Sequence, residues 1–487
     1  GRCGRRCYPT RPIYMHRRTA VVAGIAGVAI SVLAPGVLAR LCGPRFCGRR
    51  LLATRPARAT ASECKGDSTP STVLHLNAAG ASPMPTEARD AMVGYLEYEV
   101  EVGAYTAQKK RPHAAREALA TLLRCDVEEV ALLDSAQAAW ARAFYSLNFT
   151  SSADRILCFA SEYAGNAVAY LQMARRTGAR IEVLPMRTDG IADVPALEAA
   201  LQRTTTSERA ERPGRTLVAL THIQTSESIV QPAAAVGALC ERYGAVFLLD
   251  TCQSVGQLPV DVRALGCDFA CGTGRKWLRA PRGTGFLYVR RRALDEATRS
   301  GSTSLFGEPP LIDHSGAVWS TPDSYTLLPD AKRFEMWEAD EAARHGLEAA
   351  AVVCRATGPA RNFAHATRLA ARLRSGLAAI PGCVIRDAPP SFDEEVARSL
   401  GAARCAIVTF EAESTLGVRS ADLHSALEAR GISVSVSPST HHFEPAARAR
   451  PSVVRISPSY INAESEIDTA LAAIAEELAR LAREKGA

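Results

Sequence analysis

From about residue 129 onward, hydrophobic and polar positions fall into a repeating order, a short apolar run followed by a stretch with apolar residues every three or four positions. "EVALLDS" precedes "AQAAWARAFYSL", "RILCFA" precedes "NAVAYLQMARR", "RIEVLPM" precedes "VPALEAALQR", and "TLVALTHI" precedes "AAAVGALCERYG"; the apolar runs "AVFLLD", "DFACGTG" and "TGFLYVRR" follow. The short runs read as strands buried on both faces and the periodic stretches as amphipathic helices. Repeated strand–helix units predict an α/β fold with right-handed crossovers and a mostly parallel sheet. The polar stretch "TTTSERAERPGR", residues 204–215, reads as an exposed loop. Past about residue 331 the pattern changes. Long helical patterns in "FEMWEADEAARHGLEAAAVVCRA" and "NFAHATRLAARLRSGLAAI" give way to the short strands "CVIRD", "RCAIVTF", "ISVSVS" and "VVRISPS", then a closing amphipathic helix from Glu464 to about Arg483. This predicts a large domain over 72–334, with an N-terminal arm at 72–112, and a smaller α+β domain over 335–487.

Composition changes this picture only at the front. The chain has 487 residues and a formal net charge of +7, yet residues 1–62 hold twelve Arg and no Lys, Asp or Glu, so +12 set against +7 leaves −5 for the remainder. The basic balance belongs to this leader and gives no reason to expect a nucleic-acid partner. Within it, residues 19–39 form an uncharged apolar run behind Arg17 and Arg18, followed by an Arg-rich tract. An apolar signal ahead of an acid-free Arg-rich tract resembles a bipartite organelle-targeting leader, as for a plastid. A mitochondrial presequence, a secretory signal and a retained membrane anchor are the alternatives, and residues 1–71 are assigned to leader and linker. Of 14 Cys, five lie in or beside the leader and nine are scattered without a CxxC pair, and the ten His show no HExxH. Neither a disulfide framework nor a metal centre is expected.

Two side-by-side domains imply a cleft, and in open parallel sheets ligands bind at the carboxyl ends of the strands. "AVFLLD" ends in Asp250, Gln253 follows three residues later, and Lys276 stands in "GTGRKWLRAPRGTG" at the next strand exit. Taken singly, Asp250 reads as a strand-end cap, Lys276 as a solvated surface lysine and Ser135 as a helix cap. Their joint order and spacing point elsewhere, to pyridoxal phosphate (PLP) chemistry. A lysine amine is nucleophilic when neutral, and burial beside Arg275 depresses its pKa and favours a Schiff base with an aldehyde. Asp250 suits a protonated pyridine nitrogen, and Gln253 a phenolate oxygen. Ser135, Ala136 and Gln137 open a helix whose free N–H groups and dipole suit a phosphate, with Thr273 adding a hydroxyl.

The stretch "LLDTCQSVGQLPVDVRALGCDFACGTGRKWLRAPRGTGFLYVRR" resembles the PLP signature of the class V aminotransferase family, which holds cysteine desulfurases, isopenicillin N epimerase and carbon–sulfur lyases. The resemblance runs from about His75 to Ile474. It implies PLP fold type I with a mostly parallel seven-stranded sheet, a homodimer with sites at the subunit interface, and an amino-acid substrate. It also implies Lys276 as the Schiff-base lysine, Asp250 as the pyridine-nitrogen partner and Gln253 as the phenolate partner. "SEYAGNA" is similar to a family stretch whose first His stacks on the cofactor ring; Tyr163 stands there and keeps a π face. "VVRISPSYINAESEID" is similar to the segment whose arginine clamps the substrate carboxylate, which implies Arg455 as a bidentate anchor. Thr225, in "THIQTSESIVQP", occupies the position of a family Asn near the cofactor.

Departures from the pattern narrow the activity. Desulfurases carry a catalytic Cys on a loop before the carboxylate-binding Arg, and residues 431–455 contain no Cys, which disfavours the persulfide route. In "RFEMWEADEA", Trp337 and Glu338 replace a family Gly-Thr that reaches the neighbouring subunit's phosphate. "LHLNAAGASPMPTEARDAMVGYLEYEVEVGAYTA" resembles the opening of the hercynylcysteine sulfoxide lyase branch. The expectation is therefore a carbon–sulfur β-lyase acting on a cysteine conjugate or its sulfoxide. An epimerase or aminotransferase shares the same cofactor residues, and a non-catalytic PLP-binding or membrane-anchored interaction protein is the alternative of another class.

Overall fold

The computed structural model describes residues 73–203, 214–298, 304–438, 443 and 451–486. The leader, the apolar run at 19–39, residues 204–213 of the polar loop and residues 439–442 and 444–450 lie outside them. Seven strands build the main sheet: β1 Val130–Leu133, β2 Arg155–Phe159, β3 Arg180–Leu184, β4 Thr216–Thr221, β5 Val246–Asp250, β6 Phe269–Thr273 and β7 Gly285–Val289, in spatial order β1-β7-β6-β5-β4-β2-β3. Strands β2 to β6 run parallel and β7 is antiparallel to both neighbours. β6 and β7 are joined by a loop too short to hold a crossover helix, so they pair as a hairpin.

The continuous apolar runs follow from burial on both faces, because successive side chains on a strand point to opposite sides. In β5, Phe247 and Leu249 enter one core with Leu157, Leu220 and Phe286, while Val246 and Leu248 enter the other with Trp140, Phe144 and Ile156. Helices Ala136–Tyr145, Ala164–Thr177 and Ala233–Tyr243 connect and cover the strands. The last two stop at Gly178 and Gly244, both in the left-handed conformation that caps helix ends.

A second, antiparallel sheet holds β8 Val384–Ile385, β9 Val408–Glu411, β10 Ser435–Ser437 and β11 Val453–Ile456, in order β8-β9-β11-β10. Helices Pro359–Ala379 and Glu464–Gly486 pack on it. The arm strand Leu74–His75 pairs with Ile432–Ser433, so the start of the fold is stitched to its end. One expected helix begins later than its pattern suggests. Residues 335–340 stay outside helix Glu341–Thr357, whose N-cap Asp340 accepts the Ala343 N–H at 2.8 Å. Glu335 is drawn inward instead, accepting two bonds from Arg116 and one from the Leu132 N–H. No helix among the described residues is long and apolar enough to cross a membrane.

Candidate active site

Parallel pairing brings the carboxyl ends of β4, β5 and β6 to one edge, with Thr221 opposite Asp250 and Asp250 opposite Cys271. A cavity opens there, where open parallel sheets place their ligand sites. Ser135, Ala136, Gln137, Tyr163, Thr225, Asp250, Gln253, Thr273, Arg275 and Lys276 all line it. The eleventh residue singled out by sequence, Arg455, is not in the lining. It lies directly behind Thr225, donating from Nη1 to Thr225 O at 3.0 Å and Oγ1 at 2.8 Å.

The anion-binding end is formed by the start of helix Ala136–Tyr145. Ser135 accepts the Ala138 N–H on its hydroxyl at 3.1 Å and the Ala139 N–H on its carbonyl at 3.0 Å. The Ala136 and Gln137 N–H groups have no intrahelical acceptor. This end is tight: a Cβ on Gly285 would stand 2.3 Å from the Ser135 carbonyl carbon and 2.7 Å from the Ala136 nitrogen, so only glycine lets β7 approach. Thr273 is buried, its hydroxyl 3.5 Å from Thr284 O, which leaves it short of a good bond.

Asp250 is buried, accepting the Cys252 N–H at 2.9 Å on Oδ1 and the Asn166 amide at 3.3 Å on Oδ2. Gln253 is oriented by the indole of Trp277, which donates to its Oε1 at 2.8 Å. Its Nε2 donates to Ala79 O at 3.1 Å and lies 3.5 Å from Thr225 Oγ1. Tyr163 is 46% exposed, free to present a ring face, and it caps helix Ala164–Thr177.

The positive charges have little to neutralise them. Lys276 still touches the cavity while protein surrounds its stem, and desolvation drives its amine below the ordinary lysine range. Cys252 and Asp250 oppose that shift, and Arg275 and Arg455 add to it. Arg275 donates to the Gly80 carbonyl and is itself pushed down, by burial first and Arg282 second. Arg455 is 7% exposed, and its partners Ser435 Oγ, Thr225 and Asn77 Oδ1 are all neutral. Burial, then the Arg275 charge, lowers it to about 10. Among the described residues that line the cavity, Asp250 is the only carboxylate. Such a cavity attracts anions.

Several participants escaped the sequence reading. Trp140, Asn166, Thr221, Ile223 and Cys252 also line the cavity. Residues 431–455 hold no Cys, yet Cys252 stands between Asp250 and Gln253 and brings a thiol to the cavity. Asp250, Cys252 and Cys271 bring ligand atoms within 4.8 Å of one another, a grouping that no spacing motif announces. The arm contributes Asn77, Ala79 and Gly80 through the bonds to Arg455, Gln253 and Arg275.

Comparison with known proteins gives a consistent family. Residues 74–470 match the model of the family described as Aminotransferase class-V. A probable cysteine desulfurase of Methanothermobacter thermautotrophicus is 28% identical over 63% of this chain and 73% of its own length. Isopenicillin N epimerase of Streptomyces clavuligerus is 28% identical over 54% of this chain and 64% of its own length. Among solved structures, the apo cysteine desulfurase of Thermococcus onnurineus NA1 superposes with a TM-score of 0.69 at 20% identity, covering 84% of this chain and 95% of that one. The cystine C-S lyase C-DES, in complex with its reaction product cysteine persulfide, superposes with a TM-score of 0.68 at 22% identity, covering 83% and 97%. With its seven-stranded sheet, and a desolvated lysine and a buried aspartate on one cavity, the chain belongs to the class-V aminotransferase family, enzymes of PLP fold type I that use pyridoxal 5′-phosphate as cofactor.

Proposed function

We propose that this enzyme is a carbon–sulfur β-lyase that acts on a cysteine conjugate or its sulfoxide. The lining residues fit pyridoxal phosphate: two free N–H groups at a helix start, cations with few counter-charges, one buried acid and a desolvated amine. When bound, the cofactor supplies an aldehyde for an amine and a ring that stabilises negative charge on the substrate's Cα. Ser135, Ala136, Gln137, Thr273 and Arg275 hold its phosphate. Asp250 would hold the ring nitrogen, Gln253, with Thr225 beside it, would serve the phenolate oxygen, and Tyr163 would offer its ring face to the cofactor.

Arg455 carries the substrate end of this reading. A buried guanidinium whose partners among the described residues are all neutral has an anion still to bind, and the α-carboxylate of an amino acid meets it bidentately. Lys276 takes the proton from Cα. The Cβ–S bond then breaks with its electron pair leaving on sulfur, and the 2-aminoacrylate set free hydrolyses in water to pyruvate and ammonium. The choice of elimination rests on the arm. The segment that resembles the hercynylcysteine sulfoxide lyase branch is the one that touches Arg455, Gln253 and Arg275.

A second reading, persulfide formation, draws on Cys252, which lines the same cavity, and on relatives named as cysteine desulfurases. Products separate the two. With cysteine conjugates and their sulfoxides a lyase releases pyruvate, whereas a desulfurase, which needs a free thiol on its substrate, releases alanine from cysteine itself; keto-acid formation without pyruvate, or α-proton exchange alone, would overturn both in favour of aminotransferase or epimerase. We further propose a homodimer, supported by the exposed Trp319 and Trp337, to be checked by light scattering. Delivery to an organelle by residues 1–71 is likewise proposed, and a fluorescent fusion of that segment tests it.

A further inference from the structure

Beside the cavity lies a fully buried acid with no cationic partner among the described residues. Glu162 follows β2, and its carboxyl accepts four hydrogen bonds. On Oε1 these come from the Tyr163 N–H at 2.6 Å, Asn166 Nδ2 at 3.0 Å and Thr221 Oγ1 at 2.5 Å; on Oε2 the bond comes from Tyr170 Oη at 2.7 Å. Asn166 Nδ2 also reaches Asp250 Oδ2 at 3.3 Å. Because both contacts of that nitrogen are to carboxyl oxygens, the orientation of the amide is settled by the network. Burial raises the Glu162 pKa while its four donors act against burial, the hydrogen bond from Thr221 most strongly.

We propose that Glu162 is a positioning residue for the cofactor site, fixing the ring-stacking Tyr163 through its backbone N–H and the ring-nitrogen acid Asp250 through the side chain of Asn166. Tyr163 and Asp250 belong to different elements, the start of helix Ala164–Thr177 and the end of β5. One carboxyl ties both to Thr221 at the end of β4 and to Tyr170 in the core, so the ring's face and its nitrogen partner share one anchor. Without that anchor the Asn166 amide can turn, and Asp250 Oδ2 loses its side-chain donor. The inference rests on Asp250 serving the ring nitrogen.

The test uses holoenzyme loaded with cofactor labelled with 15N in the ring, comparing Glu162→Leu, Glu162→Gln, Asn166→Ala and Asp250→Asn. The readouts are the ring-nitrogen chemical shift, the cofactor dissociation constant and far-UV circular dichroism. Glu162→Leu is expected to move the ring-nitrogen signal toward the unprotonated position and to weaken cofactor binding about tenfold or more, the weight of a hydrogen bond to a charged group. Asn166→Ala moves the signal in the same direction. Glu162→Gln keeps an acceptor on Asn166 and restores most of both readouts. A folded Glu162→Leu with the parent's signal and affinity overturns the proposal, even if its melting temperature falls. If Glu162→Leu does not fold, an unmoved signal in Asn166→Ala overturns it. An unmoved signal in Asp250→Asn removes the assignment beneath it, whereas a shift there with none in the other variants overturns the Glu162 role alone.

Discussion

Replacing Arg455 with methionine separates stability from activity in a way few substitutions do. The guanidinium is held to about 10 against an ordinary 12.5, equivalent to roughly 3 kcal/mol of unfavourable charge burial. Methionine removes that cost and fills similar space. It also gives up the bonds to Ser435 Oγ, Thr225 O and Thr225 Oγ1, which contribute about 1 kcal/mol each and leave Thr225 O without this donor. The two effects nearly cancel, so the unfolding free energy of the apoenzyme should change by less than about 1.5 kcal/mol in a denaturant titration. Catalysis should not escape so lightly. Losing a buried charge-assisted contact to the substrate carboxylate costs about 3 kcal/mol or more, at least about a 100-fold fall in kcat/KM. A substrate analogue without the carboxylate gives the control, and on it Arg455→Met and the parent should match. If the variant keeps kcat/KM for the amino acid within about threefold, or falls equally on both substrates, Arg455 does not bind the carboxylate.

Lys276→Ala should lower turnover by at least about 10³-fold in a pyruvate assay while leaving the apoenzyme as stable as before or more so. The folded amine gives up its proton below 10.5, before the unfolded chain does. The apoenzyme should therefore gain stability as pH rises from that depressed value to 10.5, and Lys276→Ala should abolish this gain. Gly285→Val places a side chain against the Ser135 carbonyl carbon, 2.3 Å from the first added atom. Cofactor affinity by equilibrium dialysis should drop about tenfold or more as the helix start is displaced, and an unchanged affinity would contradict a phosphate site there. Cys252→Ala should leave pyruvate release within about threefold of the parent if the enzyme is a lyase, since a flanking thiol then takes no part. Loss of all sulfur release in that variant would favour the persulfide route.

How much of this was legible beforehand varies from residue to residue. β5 was readable because alternate residues of "AVFLLD" face two different cores, which forces an unbroken apolar run, and Asp250 stood out as the charge ending it. Lys276 was readable because glycines flank it, and Ser135 because a cap must precede its helix. Glu162 and Asn166 stood in a quoted stretch, yet nothing local says that an acid will be buried without a cation. Thr221, Tyr170 and the Tyr163 N–H answer it only once β2, β4 and helix Ala164–Thr177 are side by side.

By itself, then, the sequence determined the alternation of buried strands and covering helices, the edge at which charged residues emerge, and the kind of chemistry a lysine and an aspartate at that edge can perform. These are local matters, set by the two-residue period of a strand, the turn period of a helix and the intolerance of an apolar run for charge. Tertiary structure alone decided that the arm at Asn77 would meet Arg455, that Cys252 would share a cavity with Lys276, and that Arg455 would be buried near Arg275 with neutral hydrogen-bond partners among the described residues. Contacts across hundreds of residues depend on which edges and faces finally pack together, and the free energy of a buried charge is set by those neighbours and not by its place in the chain.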